Sequence, residues 1–278
     1  MIRLSGISER WRVAWASLGL VWLFFIEYLP PFRNTKFWSD IEGYHHPLLN
    51  YTHKSIRAGR LPEWDPTIYS GMPFAGNIQA AVFYPPNWIL HLAHLGYDGI
   101  RFLSIEILAI FHVWLAFFFG YLWLRERSRH WIPAVLGGSV IAFGGYLLSQ
   151  MNHLGVGCGY AWIPLGMWGI EQASRQQSWR PLWKLAIASA MCFLAGYPAN
   201  WAAFALVAVA FAIASPGYLK LAMQSVSALV FSLLLSAVAL FPSIEAARMK
   251  TPEQVFGGGL MEAPGIWLSY LLPNFYDQ

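Results

Sequence analysis

Apolar residues along the chain gather into seven long runs, separated by short polar breaks and one long mixed stretch. The runs lie at about 13–29, 102–124, 131–149, 155–171, 183–197, 200–214 and 219–241. Most approach the roughly 17–25 residues that a helix needs to cross the hydrocarbon core of a bilayer. The pattern predicts an all-α protein, a polytopic bundle of about seven transmembrane helices. Runs 131–149 and 183–197 are short and carry glycines, so they are the weakest of the set. The first run follows Arg3, Arg10 and Arg12 and ends in Glu27-Tyr28-Leu29-Pro30-Pro31. It lacks the small residues of a cleavage site and reads as a retained anchor.

Composition narrows the class further. The 278 residues are 57% hydrophobic and 12% charged, whereas a soluble domain carries roughly a quarter charged residues. Cys158 and Cys192 both fall inside apolar runs and read as small buried side chains, not as a disulfide or a metal site. A net charge of +4 would suit nucleic acid, but its distribution points elsewhere. With the N-terminus in the cytoplasm, Arg3, Arg10, Arg12, Arg125, Arg127, Arg129, Arg175, Arg180, Lys184 and Lys220 all fall in short cytoplasmic loops or at span ends. That is ten of the 18 Lys and Arg, placed where the positive-inside rule acts. Membrane topology therefore accounts for the charge, and no nucleic-acid partner is expected.

The mixed stretch, 31–99, becomes the first extracytoplasmic loop. Ser39 and Glu42 match a capping box, which predicts a helix from about Asp40. At about 100° per residue, Ile41, Tyr44, Leu48 and Tyr51 share one face, and Glu42, His46, Asn50, His53, Lys54 and Arg57 share the other. This predicts an amphipathic helix, bent at Pro47, lying along the membrane surface. A second such helix is expected from Asn87 to about His94. The segment between them is dense in Pro, Gly and aromatics, which predicts a fixed, packed loop.

The loop carries Asp40, Tyr44 and Pro47, then Arg57-x-Gly59-x-x-Pro62-x-Trp64-Asp65-Pro66, Gly71-x-Pro73, Asn77-x-Gln79 and Phe83-Tyr84-Pro85-Pro86. Later segments are Asn152-His153-Leu154, Trp162-x-Pro164-Leu165 with Glu171, Ala195-Gly196-Tyr197-Pro198, Phe241-Pro242-x-x-Glu245 with Arg248, and Leu271-Leu272-Pro273-Asn274-Phe275. In this the chain resembles bacterial YfhO-like membrane proteins, a branch of the GT-C glycosyltransferase superfamily. Tyr197 stands where that family has His, and Asn200 falls near its Gln. The resemblance implies one GT-C-type domain over 1–278, continued in a longer protein, in the bacterial inner (cytoplasmic) membrane. It implies inverting transfer of a sugar from a polyprenyl-phosphate carrier to an extracytoplasmic glycan or polymer, with an acidic residue of the first outer loop assisting the acceptor.

Asp40 is the candidate general base, since a carboxylate near an acceptor hydroxyl can take its proton as the glycosidic bond forms. At a helix start an Asp also stabilises the helix dipole. Glu42 is the second acidic candidate, although it also suits the capping box. Arg57, Arg60, His153 and Arg248 are candidates for the donor phosphate. Trp64 and Tyr84 suit stacking on a sugar, or packing beside the membrane. Tyr44, Asn77, Gln79, Tyr197, Asn200 and Glu245 enter the substrate-binding set through the resemblance. His45, His46 and His53, with Asp40 and Glu42 nearby, raise a metal reading, but His46 and His53, which share a face at i, i+7, are about 10 Å apart along the axis, too far to converge on one metal; no metal or other cofactor is expected. Two rival functions remain: a transporter or flippase for a lipid-linked sugar, and a truncated, non-catalytic binder of the lipid carrier. The first is disfavoured because Glu106 and His112 are nearly the only ionisable residues inside the runs between 102 and 241.

Overall fold

The computed structural model describes residues 4–249 apart from Trp38, Tyr69 and Arg129. Arg3, Arg129 and the 271–275 segment singled out above lie outside the described residues. Helix α1 (Leu4–Phe24) leads into the long loop. The loop's regular parts are a π-helical turn (Ile41–His45), α2 (His46–Arg57), strands β1 (Trp64–Asp65) and β2 (Met72–Pro73), and α3 (Pro85–Ala93). Then come α4 (Phe102–Arg127), α5 (Trp131–Phe143), α6 (Gly145–Ser149), α7 (Leu154–Tyr160), α8 (Ile163–Gln176), α9 (Trp183–Leu194), α10 (Pro198–Ile213), α11 (Tyr218–Leu235) and α12 (Ala237–Arg248). Among the described residues the antiparallel pair β1–β2 is the only sheet. Three helices there are long and apolar enough to cross a membrane: α4, the α5–α6 stretch Trp131–Ser149, and α11. Helix α10 is apolar but shorter.

Each apolar run is helical, but three are interrupted. Run 131–149 bends at Gly144, whose ψ of 147° leaves the helical region. Run 155–171 breaks at Ala161–Trp162, just ahead of Pro164, which has no amide to extend the ladder of α7 and sits in the first turn of α8. Run 219–241 breaks at Ser236, between α11 and α12.

Helix α4 is the hub, apolar on every side and packed against α1, α5, α7 and α8. Gly138 of α5 permits its closest neighbour. A Cβ there would stand 2.8 Å from the Phe117 carbonyl oxygen and 3.1 Å from the Tyr121 amide. Small residues let helices approach this closely where lipid removes the hydrophobic drive for their association. A second layer joins α8, α9, α10 and α11 around Ile170, Leu185, Phe204 and Ala208.

The two ends of the bundle differ in charge. At one end, Arg125 binds Glu9 at 2.7 Å, and Glu171 receives both Arg127 at 3.0 Å and Arg175 at 2.7 Å. Lys184 donates to Gln172 at 2.9 Å, and Ser174 donates to the Pro216 carbonyl, drawing in the start of α11. Arg125, Arg127, Arg175 and Lys184, expected on one side of a membrane, therefore share one end of the structure. The long loop caps the other end.

Within the loop two expectations are corrected. The capping box does not form: Glu42 reaches Lys36 at 2.7 Å, and the side chain of Ser39 turns to Asp40 at 3.3 Å. Ser39 has φ of +64°, so it cannot sit in the extended conformation of a capping residue. The polar face of α2 also does not look outward. His46 and His53 donate to the carbonyls of Ile100 and Tyr97, Asn50 accepts from the Ile100 amide, and Arg57 pairs with Asp98 at 2.6 Å. That face is a row of grips on segment 97–100, which fixes the loop to the start of α4. Helix α3 forms where the second amphipathic helix was expected. It buries Asn87 and His91 and leaves Ile89 70% and Leu92 58% exposed.

Candidate functional site

The chain enters the site through segment 33–37, held to α4 by Glu106. This fully buried carboxylate pairs with Arg33 at 2.8 Å and accepts from the Phe37 amide at 2.9 Å. Two residues on, the left-handed backbone of Ser39 starts the π-helical turn. A non-glycine residue in that conformation costs about 1–3 kcal/mol and is held there only by its surroundings. The turn also carries an extra residue. Asp40 and His45 would point about 140° apart on an α-helix, but the i→i+5 turn brings them to one side.

Asp40 then meets His153, which stands in the turn before α7. The distance from Asp40 Oδ2 to His153 Nδ1 is 2.7 Å, and both side chains are about half exposed. With Ser39 on its other oxygen, the carboxylate uses two of about four acceptor positions. His153 Nε2 has no partner among the described residues. His45 lies buried beside the pair. Burial holds its pKa down, to about 4, against the pull of Asp40 and with the push of His153; it is neutral at neutral pH. His45, Gln79 and Asn87 line a small cavity that continues to Leu154 and Gly155.

The outer turns close around this pair. Gly196, with φ of +99°, lets the turn between α9 and α10 lie against the loop: a Cβ there would stand 2.7 Å from the Ile78 carbonyl oxygen. Asn77 donates to the Tyr44 hydroxyl at 3.3 Å and caps the turn carrying Gln79. Asn200 is buried, donating to the Val156 carbonyl at 2.8 Å and accepting from Tyr146 at 3.3 Å. Tyr197 remains 38% exposed at the same turn.

Not every predicted site residue joins this group. Arg57 is spent on Asp98, and Glu42 on Lys36. Trp64 lies over Gly71, and Arg60, Glu245 and Arg248 are exposed without a bond to the pair. Tyr84 is 1% exposed and has no surface for a sugar. Its hydroxyl donates to His112 and accepts from Trp162 at 2.8 Å, tying loop, α4 and the α7–α8 break together. Sequence reasoning missed His45 and Glu106 as site-shaping residues. Glu106 carried a signal, an acid within an apolar run; His45 stood out only as one of three histidines weighed for a metal, because the π-turn that sets it beside Asp40 has no sequence signature. His46 and His53, weighed for a metal, are each held by a backbone carbonyl. Among the described residues no three His, Cys, Asp or Glu are grouped to hold a metal ion. Compared with family models, curated proteins and solved structures, the chain matches none.

Proposed function

We propose that this chain is a membrane glycosyltransferase of GT-C type, related to the YfhO-like proteins. In this reading seven spans enter from a cytoplasmic N-terminus in a bacterial inner membrane, and the site lies on the outer face. It passes a sugar from a polyprenyl-phosphate carrier to an extracytoplasmic glycan or polymer acceptor, with inversion. One observation carries the reading: the Asp40–His153 pair, at the end of the bundle opposite Arg125, Arg127 and Arg175. Asp40 accepts the proton of the acceptor hydroxyl as that oxygen bonds to the anomeric carbon. The bond from that carbon to the phosphate oxygen breaks, and the phosphate leaves with the electron pair, needing no separate acid. His153 orients Asp40 through Nδ1.

The transporter reading is less well supported. A pathway through the midplane needs ionisable groups open to a cavity, whereas Glu106 and His112 are buried and occupied by Arg33, Phe37, Tyr84 and Leu108. The test is Asp40→Asn, which keeps size and loses basicity. Purified protein should retain insertion and donor binding while transfer falls about 10²–10⁴-fold. Transfer near the parent rate would remove Asp40 as the base and, with it, the reading.

A further inference from the structure

On the basic half of the bundle a groove runs between α1, α4 and α8. Its floor is the stacked pair Trp114 and Phe118, with ring centroids 5.6 Å apart and planes 3° from parallel. Trp11 and Trp15 of α1 form one wall, 63% and 68% exposed, and Trp168 the other; Arg10 stands at the mouth. On α4 the groove runs from Leu122 to Trp114, about 12 Å at 1.5 Å per residue. It begins one turn from Arg125 and ends near the middle of the helix, so it is about one leaflet deep in a hydrocarbon core of about 30 Å.

We propose that this groove is a binding site for one acyl chain of an anionic phospholipid from the basic-end leaflet, with its phosphate at Arg10. Three observations select that occupant. At this depth there is no water to fill a groove, so hydrocarbon must. The walls are wrong for another helix. Transmembrane helices meet over small residues, as this protein does at Gly138 and Gly169, whereas the groove presents bulky indole and phenyl rings that leave channels between them. The charge is also right for an acidic headgroup. Of the acids nearby, Glu9 is already bound by Arg125 and Tyr121, and Glu126, which accepts from Trp168 at 3.2 Å, is offset by the buried Lys184, 4.7 Å from the same ring; the exposed Arg10 is the cation that meets a headgroup. The site lies at the opposite end from Asp40 and is independent of the sugar-transfer reading.

The test is native mass spectrometry of the detergent-purified chain, titrated with phosphatidylglycerol and phosphatidylcholine of identical chains. The parent should retain phosphatidylglycerol over phosphatidylcholine by about fivefold, the effect of one well-placed cation near an anionic lipid. Arg10→Gln should bring that ratio close to one. Trp15→Ala, which removes a wall, should lower retention of both lipids. Arg180→Gln, an exposed cation at the same end but off the groove, should leave the ratio unchanged. Equal retention in the parent would overturn the proposal, as would an equal fall for Arg180→Gln, which would mean a diffuse basic surface. A dimer that forms as lipid is stripped, with Trp15→Ala abolishing the dimer, would show that a second copy fills the groove instead. Should Arg10→Gln fail to insert, Trp168→Ala tests the same groove from the opposite wall and should likewise lower retention of both lipids.

Discussion

His45 and His91 are neutral because they are buried, and that makes the loop sensitive to acid. Burial holds both near a pKa of about 4, with His53 and then His94 pushing His91 the same way. In the unfolded chain each takes its proton near the ordinary value of 6.5. Between pH 6.5 and 4 the unfolded state therefore binds more protons, and folding stability falls as pH falls through that window. At about 1.4 kcal/mol per unit, each histidine accounts for at most about 3 kcal/mol. The melting temperature in detergent should hold steady from pH 8 to 7 and drop steeply below 6. His91→Leu should flatten that drop, because the replacement has no proton to bind and His91 has no hydrogen bond to lose. An unchanged profile would mean that the loop is open to water at this point. At this scale the sequence was partly legible. Asp40 and His153 were named from their residue types and the resemblance, but their contact joins distant segments and no local pattern announces it. His45 was weighed only for a metal; its buried place beside the pair depends on an inserted residue per turn, which no local pattern shows.

Helices were easier to read than their faces. The apolar runs follow from hydropathy alone, and each is helical. Run 131–149 was read as interrupted by glycine, and it bends at Gly144; the breaks at Ala161–Trp162 and Ser236 were not read, although Pro164 lies close to the first. The polar face of α2 was correctly drawn but assigned to the wrong neighbour. Alternation of polar and apolar positions reveals that a face is polar, not whether water or a backbone segment satisfies it; here the segment 97–100 does. The joint between the loop and the α9–α10 turn gives a prediction at this scale. Gly196→Ala places a methyl group against the Ile78 carbonyl in a left-handed backbone, and that conformation alone costs about 1–2 kcal/mol for a residue with a Cβ. The loop should then detach more readily. Trypsin should cut the intact, detergent-solubilised protein after Arg57 or Arg60 about ten times faster, while cleavage after Arg175 on the far end, exposed and followed by Gln176, stays at the parent rate. A uniform increase at both ends would instead indicate general unfolding.

At the scale of the whole molecule, the separation of the two ends gives the topology a direct test. Helix α1 runs antiparallel to α4, since Glu9 near the start of one binds Arg125 near the end of the other. The ends of α4 and α8 meet through Arg127 and Glu171, while the loop's Asp40 binds His153 at the opposite end. Any membrane that holds this bundle with the spans upright must therefore have Ser128 and Ser178 on one side and Asn34 and Asn152 on the other. The positive-inside rule, applied to the excess of Arg and Lys at the first end, predicts that side to be the cytoplasm, as in the proposed topology. Both native cysteines are buried, so introduced thiols can be read against a low background. Asn34→Cys and Asn152→Cys should react with an impermeant maleimide from outside intact cells. Ser128→Cys and Ser178→Cys should react only after the membrane is opened. The reverse pattern would put Asp40 in the cytoplasm, where no outward-facing sugar carrier reaches it, and would leave the lipid groove in the outer leaflet. Labelling of all four from one side would mean that the bundle does not stand across the bilayer, and the grouping of basic residues at one end would then need another cause.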